Sequence, residues 1–262
     1  MRFWSAVAGV ASAFAISATA AQAADLYAPP AEYDPGPAIR RFSWSGIYGG
    51  IHAGGAWGDA TLTENLPTLG NLLPPSISSS HEVDGAIGGV HVGVNKQFGN
   101  IVLGSELRLS GADISGSTGD CFGLTSAINN VAPGAATVGC DTSVNWMASA
   151  VARLGYAWDR WMIYGNVGWA VAGVDHNATI AVDPAIAPLA ISSGANDTAD
   201  GITYGGGVEF AITNSVLLGV EYTRTELEAD GSGLLLGGVL TTGSRDINLN
   251  EVKARLSFKF GG

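Results

Sequence analysis

The chain has 262 residues, 47% of them hydrophobic and only 13% charged, with 38 glycines and ten prolines. Twelve Lys and Arg against 23 Asp and Glu give a net charge of −11, which argues against nucleic acid as a partner because phosphate contacts need basic side chains. The low charge fraction excludes a disordered chain, two cysteines cannot build a zinc centre, and a mean hydropathy of +0.24 with so much Gly and Pro calls for something other than membrane helices.

Arg2, the apolar stretch Ala6 to Ala18 and the small-x-small site Ala21-Gln22-Ala23 form a secretory signal peptide over residues 1–23, with cleavage expected after Ala23. The apolar stretch is shorter than the roughly 18 residues of a helical span. Residues 24–43 carry Pro29, Pro30, Pro35 and Pro37 without apolar periodicity and read as a Pro-rich periplasmic linker. Outside the cytoplasm, Cys121 and Cys140 are expected to form a disulfide.

Over 44–262 the apolar pattern has period two, the mark of strands with two different faces. It recurs in eight segments, 45–57, 85–98, 101–110, 146–158, 161–173, 202–211, 216–223 and 248–260, none of which contains proline. Gly99-Asn100, Asp159-Arg160 and Ile212 to Ser215 are tight connections, whereas 59–80, 114–144, 175–199 and 230–245 read as long polar loops. Short turns on one rim and long loops on the other predict an all-β fold, an eight-stranded antiparallel up-and-down transmembrane β-barrel of an outer membrane.

The two faces differ in charge. One holds the apolar side chains and a single charge, Lys96, beside a turn where its stem can snorkel. The other holds Glu106, Arg108, Arg153, Glu209, Glu221, Glu251, Lys253, Arg255 and Lys259. A soluble barrel would turn the apolar face inward; the aromatics decide otherwise. Trp146 and Trp158 share a face twelve residues apart, about 40 Å along a strand or roughly 30 Å vertically at a tilt of about 40°. Trp57, Phe98, Trp146, Trp158, Trp161, Phe258 and Phe260 are therefore expected to form the aromatic girdles of the lipid-facing band.

Trp44-Ser-Gly-Ile-Tyr-Gly-Gly50, Gly88-Gly-Val-His-Val-Gly-Val-Asn95, Val151-Ala-Arg-Leu-Gly-Tyr-Ala-Trp158 into Trp161-Met-Ile-Tyr-Gly165, Tyr204-Gly-Gly-Gly-Val-Glu209, Val220-Glu-Tyr222 and Val252-Lys-Ala-Arg-Leu-Ser-Phe-Lys-Phe260, in this order, resemble the small porin-like outer-membrane proteins of alphaproteobacteria, the 25 and 31 kilodalton surface antigens among them. The resemblance implies insertion by the outer-membrane assembly machinery and a role in envelope integrity and surface interaction, with small-solute passage for some members. The chain departs from the pattern in ending Gly261-Gly262 after its terminal aromatic, and in carrying Lys96 where relatives tend to have an aromatic.

An eight-stranded barrel is just wide enough for its own side chains, so the inward charges are expected to form ion pairs, Glu221 with Lys253 and Arg255 among them. The alternative is a selective filter in a narrow channel, with free volume left by Gly50, Gly54, Gly89, Gly93, Gly205 and Gly207. His52 and His91 face inward and read as hydrogen-bonded lumen residues. His81, near Glu82 and Asp84, and His176, next to Asp175, read as solvated loop residues, so neither catalysis nor a cofactor or metal is expected. The apolar run Leu234 to Leu240 reads as a hairpin extension packed on another loop, or else as a partner contact.

Acidity gathers on the long-loop rim: Asp59, Glu64, Glu82, Asp84, Asp113, Asp120, Asp141, Asp175, Asp183, Asp197, Asp200, Glu226, Glu228, Asp230 and Asp246 against Arg224 and Arg245. Beside anionic lipopolysaccharide such a rim needs bridging divalent cations. The partners expected are thus outer-membrane lipid, lipopolysaccharide, the assembly machinery and a surface partner the sequence does not identify. The function expected is structural and interactive at the cell surface, and a narrow channel for small hydrophilic solutes is the alternative.

Overall fold

A computed structural model describes residues 42–65, 76–186, 190–236 and 239–260. The signal peptide and all of the linker except Phe42 and Ser43 lie outside the described residues, as do the side chains of the Leu234 to Leu240 run. Eight strands, β1 (Gly46–Asn65), β2 (Ser76–Phe98), β3 (Ile101–Thr118), β4 (Ala136–Trp158), β5 (Trp161–Val182), β6 (Ala190–Ala211), β7 (Val216–Leu236) and β8 (Val239–Phe260), pair antiparallel in chain order. The ring closes where β1 meets β8, from Ile47↔Phe260 to Asn65↔Thr242.

The tight turns form as the spacing requires. Gly99 and Asp159 take positive φ, 62° and 52°, in the left-handed region that glycine and aspartate tolerate best. In each strand alternate residues point into the lumen, and the outward set (Ile47, Val90, Val92, Leu103, Leu107, Leu154, Val167, Val220 and their neighbours) is exposed. Near the short turns Trp158 lies opposite Trp161 and Phe98 opposite Ile101; Trp57, Trp146 and Trp169 stand at the other end of the band, all exposed.

A β-bulge keeps this phase. Asn145 is an extra residue in β4, between the pairs Val144↔Val174 and Trp146↔Gly173. It switches the inward set from Thr142 and Val144 to Met147, Val151 and Arg153. Trp146 therefore faces outward, over the space that Gly173 leaves: a Cβ there would meet its indole at 2.2 Å.

The long loops of the sequence reading are mostly strand, which is a correction. Residues 59–65, 76–80, 136–144, 175–182, 190–199 and 230–236 continue the ladders beyond the exposed Trp57, Trp146 and Trp169. There the outward face meets water and the inward face lines a buried, partly polar interior, so the apolar alternation that marks a strand in lipid is weakened while backbone pairing persists. The wall also splits at this level. Towards the outer end the β2–β3 ladder stops at Asp84↔Ser115 and the β6–β7 ladder at Asp200↔Glu228. The β7–β8 ladder runs on to Leu236↔Val239 and the β5–β6 ladder to Ala181↔Ala190. Above the band the ring thus becomes two four-stranded leaves, β7-β8-β1-β2 and β3-β4-β5-β6.

Between β3 and β4 a 3-10 turn (Cys121–Gly123) leads into the helix α1 (Leu124–Val131). Phe122, Leu124 and Ile128 pack on Val138, Ala178 and Ile180, with the Cys121–Cys140 disulfide buried among them. The helix packs against β4 and β5 of the β3–β6 leaf.

Candidate functional site: a layered lumen

The lumen is filled in tiers. At the short-turn mouth Phe42 and Trp44, which precede β1, turn inward and pack with Val102, Ala157, Met162, Ala211 and Leu217. The Trp44 indole donates to the Asp159 carbonyl (3.2 Å), and its amide donates to Gln97 Oε1 (2.7 Å). The Lys259 ammonium donates to the Ser43 carbonyl and lies 4.7 Å from the centre of the Phe42 ring. The segment read as the end of the linker is therefore the plug of this mouth.

The charged tier follows. Glu106 accepts from Arg108 Nε (2.6 Å), Arg153 Nη1 (3.1 Å), Arg255 Nη1 (2.9 Å) and Nη2 (2.5 Å), and the Tyr48 hydroxyl (2.7 Å). Glu221 accepts from Arg108 Nη2 (2.8 Å), Arg255 Nη1 (3.1 Å), the Tyr164 hydroxyl (2.8 Å) and Asn166 Nδ2 (3.2 Å), with Lys253 Nζ at 3.8 Å. Glu209 receives Arg153 Nη2 (2.8 Å), and Lys253 is bonded to Glu251. Arg153 also lies 3.9 Å from the Tyr164 ring centre and 5.4 Å from that of Tyr48, a cation-π arrangement. All of these charged side chains are buried. Multidentate, charge-assisted bonds are what make such burial tolerable.

Two sequence expectations meet this tier. The eight charges from Glu106 to Arg255 that were assigned to a lumen cluster come together, joined by Tyr48, Tyr164 and Asn166, which pattern reading passed over. The inward glycines do not leave the free volume assigned to them. A Cβ on Gly93 would meet the Tyr48 hydroxyl at 2.4 Å and one on Gly207 the Tyr164 hydroxyl at 2.7 Å; the tyrosines occupy that space. Beside Lys253, Glu251 and Arg108 a cavity of ≈ 20 Å³ remains, about the space of one water. His52 and His91 stack at 5.7 Å and bond Ser110 and Ser257, each at 2.8 Å.

An apolar belt of Ala56, Val83, Ile87, Ile114, Val144, Met147, Leu227, Ile247 and Leu249 covers the charged tier. Above it lies a second polar tier: Glu64, His81, Thr142, His176, Asp197 and Arg245. Arg245 of β8 donates to Asp197 of β6, which ties the two leaves together. His176 Nδ1 bonds Thr142 Oγ1 at 3.0 Å, while His176 Nε2, both ring nitrogens of His81 and Arg245 Nε have no partner among the described residues.

Here the sequence reading is corrected. His81 and His176 are buried, not solvated, because neighbours on a strand face opposite ways: Glu82, Asp84 and Asp175 lie on the outer surface, out of line with the imidazoles. Asp197, Glu64 and Arg245 likewise belong to the lumen rather than to the outer rim. Burial, with the Arg245 charge second, lowers the His176 pKa to about 3, and burial lowers that of His81.

On the outer surface carboxylates form a collar just beyond the exposed Trp57, Trp146 and Trp169. Asp59 lies opposite Glu82, and Asp200, Glu228 and Asp246 lie in one cross-strand row. Asp200 accepts from the Trp169 indole (3.1 Å), and Glu226 from Tyr204 and Arg224 (both 3.0 Å). Among the described residues no three His, Cys, Asp or Glu side chains converge as metal ligands.

The sequence matches the outer membrane protein beta-barrel domain family over residues 7–260. It is 31% identical over 262 residues to the 31 kDa outer-membrane immunogenic protein of Brucella melitensis, covering 96% of this chain and 98% of that one. It is 30% identical over 220 residues to the 22 kDa outer membrane protein of Rhizobium leguminosarum, covering 83% and 79%. Among solved structures, the outer membrane protein OprG from Pseudomonas aeruginosa overlays with a TM-score of 0.46 at 12% identity, covering 83% of this chain and 97% of that one.

Proposed function

The chain belongs to the outer-membrane β-barrel protein family, and from that premise we propose that it is a closed, non-conducting and non-enzymatic scaffold that presents its two-leaved crown at the cell surface. The observation that carries this reading is the layered lumen: an aromatic plug, an ion-paired lattice, an apolar belt and a polar tier in succession. In an outer-membrane barrel the short turns face the periplasm and the long connections face outward, so Phe42 and Trp44 close the inner mouth and α1 sits at the outer end against β4 and β5. The aromatic rings at Trp158 and Trp161 and at Trp57 and Trp146 then mark the two interfaces.

The collar accounts for the acidity. Carboxylates facing each other across a ladder repel, and the phosphates of lipopolysaccharide add to that charge, so divalent cations shared between collar and lipid are the counterions this surface needs. The second reading, a narrow channel for small hydrophilic solutes, draws on the cavity beside Lys253. Planar-bilayer recording of the purified protein decides between them. Closure gives little or no current, whereas stable, ohmic steps overturn it in favour of the channel.

A further inference from the structure

We propose that the outer edge of β6, residues 190–199, is a docking strand for an extended, basic polypeptide segment, which adds to the β3–β6 leaf as a fifth strand. The inference rests on the reading of the crown as a surface facing outward from the cell.

The β6–β7 ladder ends at Asp200↔Glu228, yet β6 continues to Ala190 with β5 on its other side. The phase of the edge is fixed at its lower end. The Ala211 amide donates to the Arg160 carbonyl on the β5 side (2.8 Å), and the Ile212 amide to the Val216 carbonyl on the β7 side (2.9 Å). The β5–β6 register is unbroken from Trp161↔Phe210 to Ala181↔Ala190, and antiparallel residues direct both backbone groups to one side in alternation. Odd residues of β6 thus bond β5, whereas Ala190, Ser192, Gly194, Asn196 and Thr198 direct N–H and C=O into the seam.

Exposed edges are ordinarily blunted by Lys, Pro or a bulge. The stretch from Ala190 to Ala199 contains no Lys, Arg or Pro, and its ladder contains no bulge. The foot of the seam is lined by the row Asp200, Glu228 and Asp246, so a segment that ladders here and carries Lys or Arg gains main-chain bonds and relieves like-charge repulsion together. A second copy is a poorer occupant. Copies in one membrane share an orientation, and a two-fold axis along the membrane normal would set identical amides against each other, with no acceptor between them.

The test uses the full-length protein in lipid nanodiscs and two synthetic ten-residue peptides of alternating Lys with Thr or Val, one ordinary and one N-methylated at alternate residues, which keeps the charge and removes the ladder. Hydrogen–deuterium exchange is read over the crown. The ordinary peptide is expected to slow exchange in 190–199 at least about ten-fold, and the N-methylated peptide to leave it unchanged. Equal effects of both peptides, protection confined to 76–83 or 229–236, or no protection overturns the proposal. In the double variant Ser192→Pro, Thr198→Pro, which removes only seam-facing donors, peptide affinity is expected to fall at least about ten-fold with the heat-modifiable barrel band intact; undiminished binding overturns the proposal. Should that variant not fold, the comparison of the two peptides on the unaltered protein still decides. Thr198→Cys on intact cells, probed with a membrane-impermeant maleimide, separates the two levels of inference: labelling without strand addition defeats this proposal alone, and no labelling defeats the reading of the crown beneath it.

Discussion

Two tiers of charge lie inside the same barrel, and they are built differently. Around Glu106 and Glu221 the ring of strands is closed, and three arginines, a lysine and two tyrosines converge on the two carboxylates. Around His81 and His176 the ring has split into leaves, the Arg245–Asp197 pair crosses between them, and ring nitrogens of both histidines lack partners among the described residues. Densely bonded polar networks fix one structure even where single atoms such as Arg153 Nε, Arg255 Nε and Asn166 Oδ1 have no partner among the described residues, whereas sparsely bonded ones leave the structure open to change. The lower tier is accordingly the rigid plug, and the upper tier is the part that can respond to its surroundings.

Glu106→Gln should break the contrast most severely. It leaves three guanidinium groups facing a neutral amide, and removing one partner of a buried ion pair costs about 3–5 kcal/mol. Urea unfolding in detergent micelles should show that loss, while a stability within about 1 kcal/mol of the parent would mean that the lattice does not depend on the Glu106 charge. The double variant Cys121→Ser, Cys140→Ser comes next. Its bridge spans 19 residues, which corresponds to about 3 kcal/mol of loop-closure entropy. The loss should appear as faster proteolysis and amide exchange in 119–135, with exchange of the strands in the membrane band unchanged.

The third test is pH. The imidazole of His176 has its pKa lowered to about 3 in the closed crown, against about 6.5 once exposed. The closed form therefore binds fewer protons. Its stability is complete above about pH 6.5, falls by up to roughly 1.4 kcal/mol per unit below that, and levels off near the folded value. His81 shifts in the same direction through burial, opposed by Asp141; Arg245 and His81 add to the repulsion on His176. Amide exchange in α1, corrected for the intrinsic pH effect, should accelerate from pH 6.5 to 5 and do so less in His176→Gln. Equal acceleration in both would remove His176 from the account. The smallest effect is expected from chelators, which should loosen the lipid contacts of the collar and ease extraction without changing the lumen; unchanged extraction would count against shared cations.

What was legible in the sequence follows the solvent. Within the lipid band each strand separates two unlike media, so Val90, Val92 and Val94 on one face and His91, Gly93 and Asn95 on the other announce the strand and its orientation. Above the band that contrast weakens, and Thr61 to Asn65 or Ser76 to Ser80 carry no sign of the ladders they make. The partners of Glu106 were hidden for another reason. Arg255 lies 149 residues away and meets Glu106 only through ring closure, while Arg153 faces inward through the phase set by Asn145; neither is a local property. The sequence shows that charges point inward; only the register shows which ones meet. The helix Leu124–Val131 has no side-chain cap, and eight residues are too few to stand out by periodicity.

The distribution of the lattice along the chain bears on how the barrel is made. The strands β1 to β4 contribute Glu106, Arg108 and Arg153 to it, and β6 to β8 contribute Glu209, Glu221, Glu251, Lys253 and Arg255. Each half taken alone is left with unbalanced charge, positive in the first and negative in the second. Neutrality arrives only when the final strand swings against the first and Arg255 reaches Glu106. Such late, sequence-distant contacts slow folding, but they also make completion all-or-none: an intermediate lacking its last hairpin retains solvated charge and resists burial in lipid. Completion of the charged lattice and closure of the ring therefore coincide.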